Sequence, residues 1–205
     1  RTLYDFAWNE FCSFYVEMTK ARFSVPEQRQ VAQRVLAHAL DTLLRLLHPV
    51  TPFLTEEIWQ LLGQVAPKRG VSNPKAAGES VCVAEWPKVN RDNQDATIEE
   101  QFAVFQAVLG AVREIRSTKN IPTKEELKFT VRCSDQTAKL LRPMQPYFAQ
   151  MARATGSAIG PETASPDISA SKTFPGMEVH VDVSRFIDVG AEVARLTKER
   201  DQLAK

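Results

Sequence analysis

LLRLLHPVTPFLTEEIWQLL, residues 43–62, decides how the first part of this chain folds. Leucines at helical spacing fill its first half, which predicts a helix that buries one face. Pro49 disfavours helical geometry at His48 and so ends that helix, whereas Pro52 suits the first turn of the next one. The sequence therefore predicts a helix, a corner and a second helix, with Thr51 as the candidate cap.

A second helix-forming stretch lies upstream, at YDFAWNEFCSFYVEMTK, residues 4–20. Its large apolar residues step by four and three, so on a helix they form one wide stripe. Those residues are Tyr4, Trp8, Phe11, Tyr15 and Met18. The pattern predicts a deeply buried helix over residues 3–22.

These two stretches resemble the anticodon-binding helical bundle of class I aminoacyl-tRNA synthetases. The order W-N-E-F-C at residues 8–12 is similar to the valyl-tRNA synthetases in particular, although Ser13, Phe14 and Thr51 depart from that family's usual pattern. The resemblance implies a C-terminal part of a larger, cytoplasmic and monomeric ligase that joins valine to its tRNA. That enzyme would use ATP and Mg, and this chain would bind valine tRNA.

Local patterns and the resemblance together predict a mainly α protein, in which an antiparallel helical bundle is followed by a small α/β unit and a terminal amphipathic helix. Residues 1–63 are expected to be an anticodon-binding bundle that is incomplete at its N-terminus. Residues 64–94, rich in Pro, Gly, Ser and Lys, are expected to be a connecting loop with a short extended segment. An α/β junction domain is expected over 95–185, and the truncated start of a coiled-coil arm over 186–205.

Within the junction domain, periodicity predicts a long helix at about 95–119 and strands at 127–133 and 177–183. Prolines are expected to interrupt the helix that follows the first strand. Residues 156–176 hold many Ser, Thr, Pro and Gly residues. This composition predicts a loop there, with one short strand at most.

Charge, cysteine spacing and the length of apolar runs limit the functions with which the sequence is compatible. The chain carries 26 Lys and Arg against 25 Asp and Glu, a net charge of +1 that is weak for a nucleic-acid binder. Residues 110–153, however, carry nine basic against four acidic residues, which predicts a local RNA-binding patch. Three scattered cysteines form no zinc or disulfide pattern, and no apolar run is long enough to cross a membrane. Neither a membrane nor DNA is expected as a partner.

No nucleotide-binding loop or metalloprotease motif occurs in the sequence. We therefore expect no catalytic residue, metal site or cofactor in this chain, and no activity from it alone. His48 at the corner is predicted to be structural. Glu56 and Glu57 are explained by the favourable electrostatics of a helix N-terminus.

Unstacked RNA bases are read by aromatic stacking and polar side chains, and phosphates are bound by Lys and Arg. Candidates for tRNA contact are Asn9, Lys20, Arg22, Arg113, Arg116, Lys119, Arg195, Lys198 and Arg200. Trp8, Phe11 and Tyr15 are candidates for base stacking, although core packing is the favoured interpretation of an aromatic stripe. Arg113, Arg116 and Lys119 advance by three along one helix and so share a side.

Two alternatives stay open. The chain can be the same region of an isoleucyl-tRNA synthetase or another class I relative, against which the W-N-E-F-C helix argues. It can also be a helical protein-interaction module that dimerises through its C-terminal helix, although Arg200 at a core position makes a poor seam. Self-association of the fragment through the stripe at residues 4–18 is also expected.

Overall fold

The chain is divided into two compact units, which are described separately here. The units are Arg1–Gln94 and Asp95–Lys205. The computed structural model describes residues 1–187 together with Gly190, Thr197 and Arg200. Those residues are mainly helical, as predicted, and a four-stranded mixed sheet lies in the second unit. The terminal helix expected at 186–205 falls almost entirely outside the described residues.

A continuous helical stretch opens the first unit. It consists of α1 (Thr2–Asp5), a π-helical segment (Phe6–Val16) and α2 (Glu17–Phe23). The helix expected at 3–22 is thus present, but half of it has the wider i→i+5 register. In keeping with that register, the Ser13 hydroxyl donates to the carbonyl of Trp8, five residues back, at 2.9 Å.

The prediction that this helix is deeply buried is wrong. Tyr4, Phe6 and Trp8 are 65%, 50% and 61% exposed, whereas Phe11 is only 8% exposed. Burial is restricted because the stretch packs against the following helix mainly through α2. The aromatic stripe is therefore split into a covered part and a part that faces solvent.

The corner forms between the two prolines, but the expectation that Pro49 moves His48 out of helical geometry is wrong, because His48 keeps φ −54° and ψ −41°. Helix α3 (Pro26–Leu47) ends before His48, and α4 (Pro52–Val65) begins at Pro52. Thr51 occupies the cap position, but its hydroxyl donates back to the carbonyl of Leu47 at 3.3 Å instead of capping α4. Trp59 and Leu62 of α4 pack on Leu44 of α3 in the core of this unit.

A buried ion-pair network ties these two helices to the segment that follows them. Asp41 of α3 lies 3.0 Å from a guanidinium nitrogen of Arg69 and 2.9 Å from that of Arg45. The Arg69 guanidinium lies 3.9 Å from the centre of the Trp59 ring, and it also donates to the Trp59 carbonyl at 3.0 Å. Both side chains of the Asp41–Arg69 pair are nearly inaccessible to solvent.

Residues 64–94 are more ordered than the expected loop. Two strands of two residues each, β1 (Lys68–Arg69) and β2 (Lys75–Ala76), pair as an antiparallel hairpin, and single 3-10 turns form at Val81–Val83 and Arg91–Asn93. The turn at Val81–Val83 lies where the extended segment was expected to begin. The Ser80 hydroxyl stabilises this turn by accepting from the Cys82 backbone N–H.

The second unit begins with α5 (Ala96–Thr118), which confirms the expected long helix. The Asp95 carboxylate caps it by accepting from the backbone N–H groups of Thr97 and Ile98. Helix α6 (Asp135–Leu141) ends at a turn containing Pro143, and α7 (Gln145–Ala152) follows, so the predicted interruption is confirmed.

Four strands form the sheet of this unit: β3 (Leu127–Cys133), β4 (Ala154–Gly160), β5 (Ser169–Phe174) and β6 (Met177–Asp182). Their order is β4-β3-β6-β5, with β3 and β4 parallel and the other pairs antiparallel. The expected strands are confirmed at β3 and β6. Of residues 156–176, expected to be a loop with one short strand, β5 supplies that strand, and the end of β4 is a second strand that was missed. Both are edge strands whose small polar residues lack a clear apolar alternation.

The core of the second unit is aromatic. Phe148 of α7 lies between Phe105 of α5 and Phe129 of β3, with ring centres 4.9 and 5.0 Å apart. All three side chains are fully buried. Helices α5 and α7 therefore cover the sheet through one contiguous cluster.

We predict that Arg69→Met destabilises the first unit by about 3–5 kcal/mol, because it leaves the buried Asp41 carboxylate without its main partner. Arg34→Met, at an exposed position of α3, is the matched control. All three tryptophans lie in the first unit, so urea unfolding followed by tryptophan fluorescence reports on that unit. Equal stability of the two variants would contradict a structural role for the pair.

A pH-dependent contribution is expected from Glu56. Hydrogen bonds from Gln60 and then Ser80 hold the pKa of this carboxyl below its ordinary value. Because the pKa is lowered in the folded state, the stabilisation is present above the ordinary glutamate pKa of about 4.3 and is lost as pH falls through the lowered value.

Glu56→Gln should therefore destabilise the first unit at pH 7 relative to the wild type, and this difference should shrink below about pH 4. Glu57→Gln, at the exposed neighbouring position, should change little at either pH. Urea midpoints measured at both pH values test this. A Glu56→Gln deficit of the same size at both would show that ionisation of Glu56 is irrelevant to folding.

Candidate nucleic-acid interface

The helical stretch that opens the first unit presents polar side chains to solvent. Asn9, Lys20 and Arg22 are all exposed, as expected. The Lys20 ammonium lies 2.6 Å from the Glu17 carboxylate, which fixes its position one turn from the helix end. Burial raises the pKa of Tyr15, and the Arg22 charge opposes that rise. The charge of Arg22 thus acts on the half-buried Tyr15 hydroxyl.

The three candidate stacking residues have different environments. Trp8 is largely exposed and lies parallel to Tyr4, with ring centres 6.4 Å apart and an interplanar angle of 3°. Phe11 is buried and stacks on Tyr15 at 6.1 Å, so these two rings belong to the packed side of the helix. Of the three, Trp8 is the ring best placed to meet an unstacked base.

Arg116 does not face solvent, and the expectation that it contacts phosphates is corrected. It is only 8% exposed, and its guanidinium donates to the carbonyls of Pro122, Glu125, Ala152 and Arg153 at 2.7 to 3.4 Å. Burial lowers the pKa of this guanidinium, and the nearby Arg153 charge adds to the effect. The fork of Arg116 thus joins the end of α5 to the loop before β3 and to the end of α7.

Arg113 and Lys119, which were expected to share one side of the helix with Arg116, are half-buried. Arg113 donates to the carbonyl of Met151 at 3.1 Å, and Lys119 lies at the C-terminal cap of α5. Spacing by three did place these residues near one side of the helix. At Arg116, however, that side of α5 packs against the rest of the second unit, so only part of it faces solvent.

The coiled-coil arm expected at 186–205 carries three further candidates for RNA contact. Arg195 and Lys198 lie outside the described residues, whereas Arg200 is helical and exposed. Their role as RNA contacts stays a prediction.

Two exposed aromatic residues were missed by sequence reasoning. Phe53 at the start of α4 is 91% exposed, and Trp86 is 59% exposed. The sequence did indicate that Phe53 is exposed, because Phe53 directly follows Pro52 in the first turn of α4. A large apolar residue in a first helical turn has few neighbours to cover it. Both rings have the chemistry of a base-stacking platform.

His48 and Cys82 lie close together, but the geometry indicates a structural link. The Nδ1 atom of His48 is 2.7 Å from the Thr55 hydroxyl, and its Nε2 atom is 3.1 Å from the Cys82 sulfur. This ring therefore joins the corner to the turn at Val81–Val83. Among the described residues no group of His, Cys, Asp and Glu could hold a metal ion, and no described helix is long and apolar enough to cross a bilayer.

A helical unit with exposed polar and aromatic side chains, and with a small α/β unit after it, has the chemistry of an RNA-binding module. Residues 1–131 match the family of the anticodon-binding domain of tRNA ligase, and the chain belongs to that family.

Curated relatives narrow the resemblance to one kind of ligase. The chain is 49% identical over 205 residues to valine–tRNA ligase from Rhodopirellula baltica, covering 99% of this chain and 20% of that protein. The valine–tRNA ligases of Listeria monocytogenes and Bacillus subtilis are 35% and 32% identical, over 215 and 208 residues. Each of those two alignments covers 100% of this chain and 22% of the relative.

The resemblance to valyl-tRNA synthetases is thus confirmed, and the chain spans about a fifth of the length of these relatives.

We predict that Arg116→Met and Arg116→Lys both destabilise the second unit by about 1–3 kcal/mol, because neither side chain can donate to all four carbonyls, which are buried or partly buried. Hydrogen–deuterium exchange should become faster in residues 119–126 and 152–154. Arg132→Met, whose exposed guanidinium pairs with Glu178, is the control and should leave those segments unchanged. If hydrogen–deuterium exchange is unchanged and tRNA binding is weaker, Arg116 contacts a phosphate and its structural role is contradicted.

Proposed function

We propose that this chain is the anticodon-binding and C-terminal region of a cytoplasmic valine–tRNA ligase, and that it binds valine tRNA. The observation that carries this proposal is the similarity of the whole chain to valine–tRNA ligases, together with the family match over residues 1–131. The full-length enzyme would be a monomer that uses ATP and Mg to join valine to the tRNA. A catalytic domain outside these 205 residues would perform that reaction.

In this proposal the first unit is an incomplete antiparallel bundle that reads the anticodon loop. Helices α2, α3 and α4 pack in succession, and the four residues between α3 and α4 suit an antiparallel connection. The second unit would be the junction domain, with residues 186–205 as the start of the coiled-coil arm. Lys20, Arg22 and Asn9 would supply polar contacts in the first unit, and Trp8 would stack on a base.

Self-association of the isolated chain is part of the proposal. Tyr4, Phe6 and Trp8 expose an aromatic surface at the start of the chain, and such surfaces are covered by partners in many proteins. Binding experiments should therefore use chain concentrations at which sedimentation shows a monomer.

Binding of the 205-residue chain to valine tRNA tests the function directly. Fluorescence anisotropy at fixed salt should show tighter binding to valine tRNA than to the same tRNA with a changed anticodon. Loss of one stacked base costs about 1–3 kcal/mol, which corresponds to roughly 5- to 150-fold in affinity. Equal affinity for the two RNAs would contradict anticodon recognition by this chain.

The same preparation supplies a control for catalysis. Valine-dependent exchange of pyrophosphate into ATP should be absent with the chain alone. Exchange above background would show that the active site lies in these residues.

A further inference from the structure

A cavity of about 220 Å³ opens in the first unit beside the β1–β2 hairpin. Helix α3 forms one wall, the hairpin forms another, and the chain at Pro87 and Lys88 closes a third side. Four cationic side chains line it: Arg45, Arg69, Lys75 and Lys88. We call it the basic cavity. Among the residues that the structure describes, the Asp41 carboxylate is the one carboxylate that lines it.

The charge of the basic cavity is strongly positive. Asp41 is already neutralised by its ion pairs with Arg69 and Arg45. Lys75 and Lys88 are exposed, and their ammonium groups have no hydrogen-bond or ion-pair partner among the residues that the structure describes. The two lysines are therefore unneutralised cations at the mouth of one cavity.

The walls of the basic cavity are held in place by contacts that do not involve the lysines. The Arg69 guanidinium is fixed by Asp41 and by the Trp59 carbonyl. Gly70, next in the hairpin, has a φ of +128°, and a Cβ there would come within 3.1 Å of the Asn73 carbonyl oxygen. The hairpin can make this close turn because the residue is glycine. The cavity is thus built by the fold before any ligand enters.

A multiply charged oxygen anion fits this arrangement. Lysine binds phosphate as a mobile point charge, and His38 adds a ring that can donate to an oxygen. The volume is below the roughly 300–1,000 Å³ of sites for small organic ligands, which favours a single phosphate group over a whole nucleotide.

We propose that the basic cavity binds a backbone phosphate of RNA. This inference rests on the proposed tRNA-binding function and assigns one phosphate contact to it. Exposed ammonium groups hold a small free anion weakly, because solvent and salt screen a surface ion pair. A phosphate in an RNA chain binds more tightly than a free anion for two reasons. Its neutralisation releases condensed counterions, and the other protein–RNA contacts keep it near the cavity.

The test uses the 205-residue chain and salt titrations of tRNA binding. Lys75→Gln combined with Lys88→Gln should reduce the magnitude of the slope of log K against log[salt] by about 0.7–0.9, the loss of one phosphate contact. Affinity at 0.15 M salt should fall about four- to fivefold. Lys68→Gln is the control, because Lys68 is exposed on the same hairpin but does not line the cavity.

The outcomes separate this inference from the proposed function. If wild-type chain prefers valine tRNA but the double variant keeps its slope, or loses no more than Lys68→Gln, the cavity inference is overturned and the function stands. If the wild type shows no anticodon preference while the double variant loses slope, the proposed anticodon recognition fails and the phosphate site stands. If the wild type binds no RNA, both fail.

A titration with inorganic phosphate identifies the source of the anion. We expect changes in the NMR signal of His38 only at tens of millimolar phosphate, and displacement of phosphate by RNA. Saturation below one millimolar without competition from RNA would overturn the assignment to RNA. Thermal unfolding should show that both lysine substitutions leave the fold intact, since the side chains are exposed.

Discussion

The buried ion pair between Asp41 and Arg69 connects the parts of the first unit that come from different regions of the sequence. It joins α3 to the β1–β2 hairpin, and the Arg69 guanidinium lies over the Trp59 ring of α4. Burial of two charges is tolerated because each is also hydrogen-bonded or paired elsewhere. This pair, together with the hydrogen bond from Arg69 to the Trp59 carbonyl, holds the hairpin where it forms a wall of the basic cavity.

Sequence reasoning found the helices because proline positions and leucine spacing are local signals. It missed the burial of Arg69, since an arginine in a Pro- and Gly-rich stretch looks solvated until Asp41 is known to lie beside it. Arg116 was misplaced for a similar reason. Its spacing from Arg113 defines a side of α5, but only the folded unit shows that carbonyls of the loop before β3 and of the end of α7 cover it. Edge strand β5 carried no apolar alternation to find.

Two arginines and three lysines of the chain have contrasting environments. Arg69 and Arg116 are buried and use the fixed fork of the guanidinium to bind several internal acceptors. Lys20, Lys75 and Lys88 keep their charges at the surface. The net charge of +1 therefore does not describe the charge available to RNA, because Arg69 and Arg116 are engaged in internal contacts whereas Lys75 and Lys88 line one cavity.

Ultraviolet crosslinking of the 205-residue chain to valine tRNA, mapped by mass spectrometry, tests most directly whether the surface of the first unit contacts RNA. Crosslinks are predicted at exposed Trp8 and in the peptide that contains Lys75, with none at buried Phe11. Crosslinks confined to residues 95–205 would contradict the account, since the first unit would then be scaffold without an RNA-binding surface.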